Sequence, residues 1–289
     1  MPRSAALDGF QLAYDRHGEP GAPPVVLLHG WPGDRTDMAA VAAELAGTHD
    51  VVVPDLRGFG GSDRHDRDPA DAYGAAAQAA SVAALLDELG LSDVVAGGYD
   101  VGSRVAQQLA GDRPELLRAL VVTPPAPGVG QRILEPDAVR EFWYQAFHQL
   151  DLAEELVDGD ARAVRAYLRH FWTHWSGPGF VPGADRIEAL AAGYAAPGAF
   201  VASIAWYRSG GGAVARSLAE TVPGPDDRIG VPTTFLWPEH DPLFPRAWSD
   251  RLGEFFTDVA VTWVDGAGHF VPVEAPADFA AAVATAARR

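Results

Sequence analysis

Four short stretches of this chain put polar side chains where a covalent displacement needs them. In Gly98-Tyr99-Asp100-Val101-Gly102 an Asp stands two residues from a Gly on either side. The run Val94–Gly97 before it reads as a strand and Val101–Gly111 after it as a helix. Asp100 therefore falls on a tight strand-to-helix turn, where small neighbours let the two backbones approach. Gly266-Ala267-Gly268-His269-Phe270 sets a His in a Gly-flexed loop past the run Val259–Val264, as a general base requires. Pro238-Glu239-His240-Asp241-Pro242 follows the run Thr233–Trp237. Asp241 is read as the carboxylate that orients His269, with Glu239 as its rival and Asp265 as a turn residue. His29-Gly30-Trp31-Pro32-Gly33 ends the run Val25–Leu28. A loop there aims backbone N–H groups at an oxyanion, with Trp31 and Val101 as the donors.

A carboxylate nucleophile favours one kind of reaction. Attack on an ester gives an anhydride-like species and gains little, whereas displacement at an sp³ carbon leaves an alkyl ester on the enzyme. Water activated by a His then attacks the ester carbonyl and regenerates the Asp.

Composition excludes much else. At 289 residues, 48% hydrophobic and 21% charged, the chain fits one large α/β domain or a core with an inserted subdomain. There is no Cys, so disulfides and thiolate chemistry are absent. All 22 basic residues are Arg, so a Schiff-base lysine and a phosphate-loop lysine are impossible. The formal charge of −17 disfavours nucleic acid and anionic membrane and suits a neutral or weakly charged small substrate. No run reaches the ~18 apolar residues of a membrane span. Met1–Phe10 lacks the apolar core of a secretory signal, so a cytoplasmic protein is expected. His170 and His174 lie four apart without a clustered carboxylate, so no metal and no cofactor are expected. Gly58-Phe59-Gly60-Gly61 opens no obvious helix, which argues against nucleotide binding.

The elements that must hold these residues follow from periodicity. Phe10, Leu12 and Tyr14 alternate as in an antiparallel edge hairpin, and Val25–Leu28, Val51–Val53, Val94–Gly97 and Leu120–Thr123 read as buried strands. Helices are expected over Thr36–Ala46, capped by Thr36, over Ala72–Leu89 and over Val101–Gly111. Strands alternating with helices predict a mostly parallel, doubly wound α/β sheet. Pro124-Pro125-Ala126-Pro127-Gly128 stops the alternation. Helices rich in aromatics follow, among them Glu141–Leu156, Ala161–His174 and Phe200–Tyr207, until Pro223-Gly224-Pro225. The sheet pattern resumes with Thr233–Trp237, a helix Arg246–Phe256, Val259–Val264 and a last helix Pro276–Arg288. The expected division is a core of residues 1–123 and 226–289, with a helical lid of residues 124–225.

Nucleophile, acid and His occur in that chain order, each just past a strand, and Asp55-Leu56-Arg57-Gly58-Phe59-Gly60-Gly61-Ser62 adds a loop motif. On these residues the chain resembles the α/β-hydrolase superfamily over nearly its whole length. With Asp in place of the usual Ser, it is similar to the epoxide hydrolases and to the haloalkane and haloacetate dehalogenases. Phe142-Trp143-Tyr144-Gln145 and Trp206-Tyr207-Arg208 resemble the two lid tyrosine motifs of epoxide hydrolases. The resemblance implies that Tyr144 and Tyr207 donate protons to an epoxide oxygen. His29, Trp143, Gln145, Trp172 and Trp175 are expected to bind a bulky apolar epoxide, turned over to a vicinal diol.

The alternative is a dehalogenase using the same Asp100. Val101 stands where haloalkane dehalogenases have Trp. Only Arg104 matches the Arg pair of haloacetate dehalogenases, and it otherwise pairs with an acid on its helix face. His174-Trp175 is similar to a halide-binding pair but falls late in the lid. A relative that binds ligand without turnover is the non-enzymatic reading, and the intact Asp100, Asp241 and His269 oppose it. The sequence leaves the substrate and the oligomeric state open, a homodimer included.

Overall fold

The computed structural model describes all 289 residues. Its strands are β1 (Tyr14–His17), β2 (Pro24–Leu28), β3 (Asp50–Pro54), β4 (Val94–Gly98), β5 (Leu117–Val122), β6 (Thr233–Pro238) and β7 (Val259–Val264). They form one sheet in the order β1-β3-β2-β4-β5-β6-β7. β1 runs antiparallel to β3, and every other pairing is parallel. The Val- and Leu-rich runs of β2 and β3 are buried on both faces, as a covered parallel sheet requires. The edge strand begins later than the alternation suggests. Phe10 and Ala13 make only isolated bridges, to Leu7 and Arg3.

The helices on the first half are α1 (Ala39–Leu45), α2 (Pro69–Ala72), α3 (Ala75–Glu88) and α4 (Val101–Asp112). The first of them differs from expectation at its start. Asp34, not Thr36, is the cap: its carboxylate accepts the Thr36 N–H at 2.9 Å, and a 3-10 turn at Arg35–Met38 precedes α1. The helix expected from Ala72 to Leu89 is two. It breaks at Tyr73-Gly74, where the Tyr73 hydroxyl exchanges hydrogen bonds with the His65 backbone at 2.7 and 2.8 Å.

Between β5 and β6 come α5 (Pro136–Glu141), α6 (Trp143–Phe147), α7 (Asp151–Val157), α8 (Ala161–His174), α9 (Ala184–Tyr194), α10 (Ala199–Arg208) and α11 (Ala213–Ala219). α8 has the range its sequence predicts. Asp160 caps it by accepting from the Arg162 and Ala163 N–H groups, and Val164, Leu168, Phe171 and Trp172 form its buried stripe. The single helix expected over Glu141–Leu156 is instead interrupted at His148–Leu150. The Arg208 side chain donates to the carbonyls of His148 and Leu150 there, at 3.0 and 3.3 Å, in place of helix N–H groups.

Past β6, Arg246–Glu254 winds as 3-10 turns rather than an α-helix, and α12 (Val271–Glu274) and α13 (Pro276–Ala286) follow β7. Sheet residues such as Val26 and Val121 share one hydrophobic cluster with Phe142, Tyr144, Phe171, Trp172 and Phe200 from the inserted helices. The inserted helices thus have no separate core and pack directly on the sheet's carboxyl edge. No single helix is long and apolar enough to cross a membrane.

Candidate active site

Asp100 sits at φ 49° and ψ −118°, between β4 and α4. A non-Gly residue in that region costs roughly 1–3 kcal/mol, so the surroundings must impose it. They do so by close packing. A Cβ on Gly98 would lie 2.6 Å from the Gly102 carbonyl oxygen, and one on Gly102 would strike the Leu28 carbonyl. With both positions held to Gly, the turn lifts the Asp100 carboxylate to the sheet edge. There its Oδ1 accepts the Trp31 backbone N–H at 2.7 Å. Val101 opens α4, so its N–H is among those no helix carbonyl takes up.

His269 is fully buried on the loop after β7, its N–H donating to the Trp175 carbonyl at 2.8 Å. Its Nδ1 lies 3.0 Å from Asp241 Oδ2, and its Nε2 lies 3.5 Å from Asp100 Oδ2. Asp241 is itself fixed, its Oδ1 accepting the Leu243 N–H at 2.8 Å. Burial, the largest effect, pushes the His269 imidazolium down, but the carboxylates of Asp241 and Asp100 override it and bring it up to about 10. Glu239, the rival acid, is turned outward and accepts the Gly266 N–H at 2.8 Å. Asp265 pairs with Arg246 at the surface, at 2.7 Å.

Tyr144 and Tyr207 come from α6 and α10 and meet edge to face, with ring centroids 5.5 Å apart. They share with Asp100 a cavity of about 10 Å³, also bordered by Val101, Arg104 and Gln145. That is the room of about one water. Gln145 Nε2 donates to the Tyr144 oxygen at 3.1 Å, and its Oε1 accepts the Val214 N–H at 3.0 Å. That bond does not use the Tyr144 hydroxyl proton, and Tyr144 and Tyr207 are hydrogen-bonding neighbours. Burial first, and the Asp100 carboxylate among the nearby charges, raise both phenols well above their ordinary value. An apolar pocket of about 510 Å³ lies outside this cavity and shares Phe142, Gln145 and Tyr207 with it. Room for anything bulky lies outside the cavity at Asp100.

Three residues expected to bind substrate are not brought to the cavity. His29 spends both ring nitrogens on backbone: Nδ1 donates to the Gly30 carbonyl and Nε2 accepts the Leu56 N–H, each at 3.0 Å. It braces the loop that carries Trp31. Trp172 stacks on Phe270 at 3.8 Å and donates from Nε1 to the Pro32 carbonyl at 2.9 Å. Trp143 is half exposed, packs on Phe171 and borders only the outer apolar pocket. Trp175 does reach the site, 5.1 Å from the His269 ring and 5.2 Å from Tyr144. His174 turns away to Glu141, at 2.6 Å. No group of His and carboxylates could hold a metal ion.

Sequence reasoning missed other parts of the wall. The Trp31 ring, expected only for its N–H, stacks on Tyr144 at 5.6 Å and meets His148 at 4.9 Å. His148 is fully buried, with Nε2 2.9 Å from the Tyr167 hydroxyl, and burial first, then Arg208, pushes it down to about 3. Asp37 accepts from the Tyr99 hydroxyl and from Arg186 of α9. Nothing in the sequence marks it, because its partners lie far along the chain.

A family model described as the alpha/beta hydrolase fold matches residues 23–276. The chain is 27% identical to the soluble epoxide hydrolase of Corynebacterium sp. (strain C12), over 94% of this chain and 92% of that one. It is 30% identical to the fluoroacetate dehalogenase of Burkholderia sp., over 65% of this chain and 63% of that one. The crystal structure of epoxide hydrolase A from Mycobacterium thermoresistibile is similar with a TM-score of 0.79 and 26% identity, over 99% of this chain and 97% of that one.

Proposed function

The chain belongs to the α/β-hydrolase fold family, and from that premise we propose that it hydrolyses epoxides to vicinal diols through an alkyl ester on Asp100. One observation carries the reading: two buried phenols, Tyr144 and Tyr207, share one small cavity with the Asp100 carboxylate. An epoxide oxygen leaves as an alkoxide and needs a proton, which a phenol can give.

The geometry supports a task for each atom. Asp100 Oδ1 is held by the Trp31 N–H, so Oδ2 is the oxygen that attacks a ring carbon as the C–O bond breaks. The alkoxide takes a phenol proton. The ester has no charge at Asp100, so His269 loses one of the two carboxylates that raise it. Its proton replaces the one the phenol gave up, and the neutral imidazole becomes the base. Water then gives a proton to His269 Nε2 and adds to the ester carbonyl carbon. The oxyanion forms at Oδ1, against the N–H groups of Trp31 and Val101. Collapse breaks the ester bond to the substrate. The released alkoxide takes the proton of the new carboxylic acid, which returns Asp100 to its carboxylate, while His269 keeps the proton from water and is again the cation. One epoxide and one water have become one diol.

A second reading has one observation in its favour. The buried Trp31 Nε1 has no hydrogen-bond partner, and an indole N–H is the donor a departing halide needs. The same Asp100 would then displace halide from a haloacid or haloalkane. Turnover assays separate the two. Diol formation from aryl and alkyl epoxides, without halide release from fluoroacetate or chloroalkanes, is the expected result. Halide release without diol would replace the epoxide reading.

A further inference from the structure

We propose that Glu274 is a positioning residue for His269, a role that deepens the ester reading of Asp100 and rests on it. Glu274 ends α12, which begins shortly after His269. Its carboxylate accepts three backbone N–H groups. Oε2 takes those of Gly268 and Gly177, each at 2.8 Å, and Oε1 takes that of Phe270 at 3.0 Å. Gly268 and Phe270 flank His269 in the chain. Gly177 lies in the segment that leaves α8, where the Trp175 carbonyl accepts the His269 N–H at 2.8 Å. One side chain thus clasps the loop of the general base to the segment beside it.

The loop has little else to hold it. Gly266 and Gly268 offer no side chain to pack, and the two segments meet backbone to backbone. A Cβ on Gly268 would strike the Gly177 nitrogen and the Trp175 carbonyl, and one on Gly177 would strike the Gly266 carbonyl. Gly177, Gly268 and Phe270 are buried, so their N–H groups need acceptors within the protein. A carboxylate can serve several at once, in charge-assisted bonds stronger than neutral ones. Capping of α12 accounts for the Phe270 bond alone, because Gly268 and Gly177 lie outside that helix. Glu239 and His240 hold the far end of the loop, through the Gly266 N–H at 2.8 Å and the Ala267 carbonyl at 2.9 Å. From Gly268 to Phe270, every backbone N–H ends on Glu274 or on Trp175. These bonds fix the backbone that carries the imidazole between Asp241, at 3.0 Å, and Asp100, at 3.5 Å. Ester hydrolysis is the step that uses His269 as a base, so a loosened loop slows that step and spares ring opening.

The test follows styrene oxide and epoxyhexane by rapid quench in the wild type, Glu274→Gln and Glu274→Ala, with thermal midpoints measured beside it. Gln keeps the shape but has a single acceptor oxygen, so at least one N–H loses its partner, and Ala removes all three bonds. Alkylation of Asp100 should be nearly unmoved. Ester hydrolysis should slow about 10-fold in Glu274→Gln, the loss of one hydrogen bond to a charged group, and up to about 100-fold in Glu274→Ala, the cost of a misplacement of about 1 Å. Combined with Asp241→Asn, the losses should be less than multiplicative, because both act through one imidazole. A second readout needs no substrate. The NMR signals of the His269 ring nitrogens, assigned by their loss in His269→Gln, should move in Glu274→Gln, which stays informative if Glu274→Ala does not fold. Equal slowing of both steps, or unmoved ring signals in a folded variant, would mean that Glu274 only holds the fold, and overturns the positioning role alone. A wild type that forms neither ester nor diol from these epoxides, while its His269 signals still respond to Glu274→Gln, supports the positioning role and overturns the epoxide reading.

Discussion

At the scale of single residues, charge placement separates the two chemical steps. In the proposed mechanism Tyr144 and Tyr207 serve only ring opening, and His269 with Asp241 serves ester hydrolysis. Either Tyr→Phe change should slow alkylation by about 10–100-fold, and the double change by more, with the hydrolysis rate constant nearly unmoved in single-turnover kinetics. Equal slowing of both steps would mean that the phenols only pack. Asp241→Asn removes the partner 3.0 Å from His269 Nδ1, so it should accumulate ester in rapid-quench samples. Glu239→Gln should not, because Glu239 holds only the Gly266 N–H. The places of Asp100, Asp241 and His269 were legible because sterics restrict the residue types: the elbow needs Gly at 98 and 102, and strand ends deliver Asp241 and His269. The direction of a side chain was not legible. His29 and Trp172 lie in the right loop and helix, yet their polar atoms are consumed by the backbone of Leu56, Gly30 and Pro32.

Among the elements, the attachment of the inserted helices to the core rests partly on a buried ion pair. Arg186 of α9 meets Asp37, which is fully buried and also bound by Tyr99, the residue before Asp100. Burial, the largest effect, pushes Asp37 up to about 7, against the pull of Arg186. Removing Arg186 raises Asp37 further. The Arg186→Met variant should therefore lose little stability near pH 5, where Asp37 is protonated, and more near pH 8. The loss should stay below the roughly 3–5 kcal/mol of a fully buried broken pair. Urea unfolding at both pH values checks this, and an equal loss at both would contradict it. Long-range contacts of this kind also explain the misread helices. The break at His148–Leu150 depends on Arg208, 60 residues from His148, and no window of local sequence contains it.

Over the whole molecule, a mostly parallel sheet followed by a helical stretch was legible because the apolar strand runs, spaced by helices, leave few topologies open. Stability should follow pH through His269. Its folded pKa of about 10 stands above its ordinary 6.5, so the folded state keeps a proton the unfolded chain has lost. That contribution is complete below about pH 6.5 and is lost as pH rises through about 10. The thermal midpoint should fall over that window in the wild type and fall less in His269→Gln. An identical slope in both would remove His269 as the source.

The proposed chemistry stands or falls with the covalent ester on Asp100. The most direct test mixes His269→Gln with an epoxide and measures intact mass, followed by peptide mapping. The expected product carries an added mass of one whole epoxide, with no atoms lost, on the peptide that contains Asp100. An unmodified enzyme, an adduct on any other residue, or undiminished turnover by Asp100→Ala would contradict it.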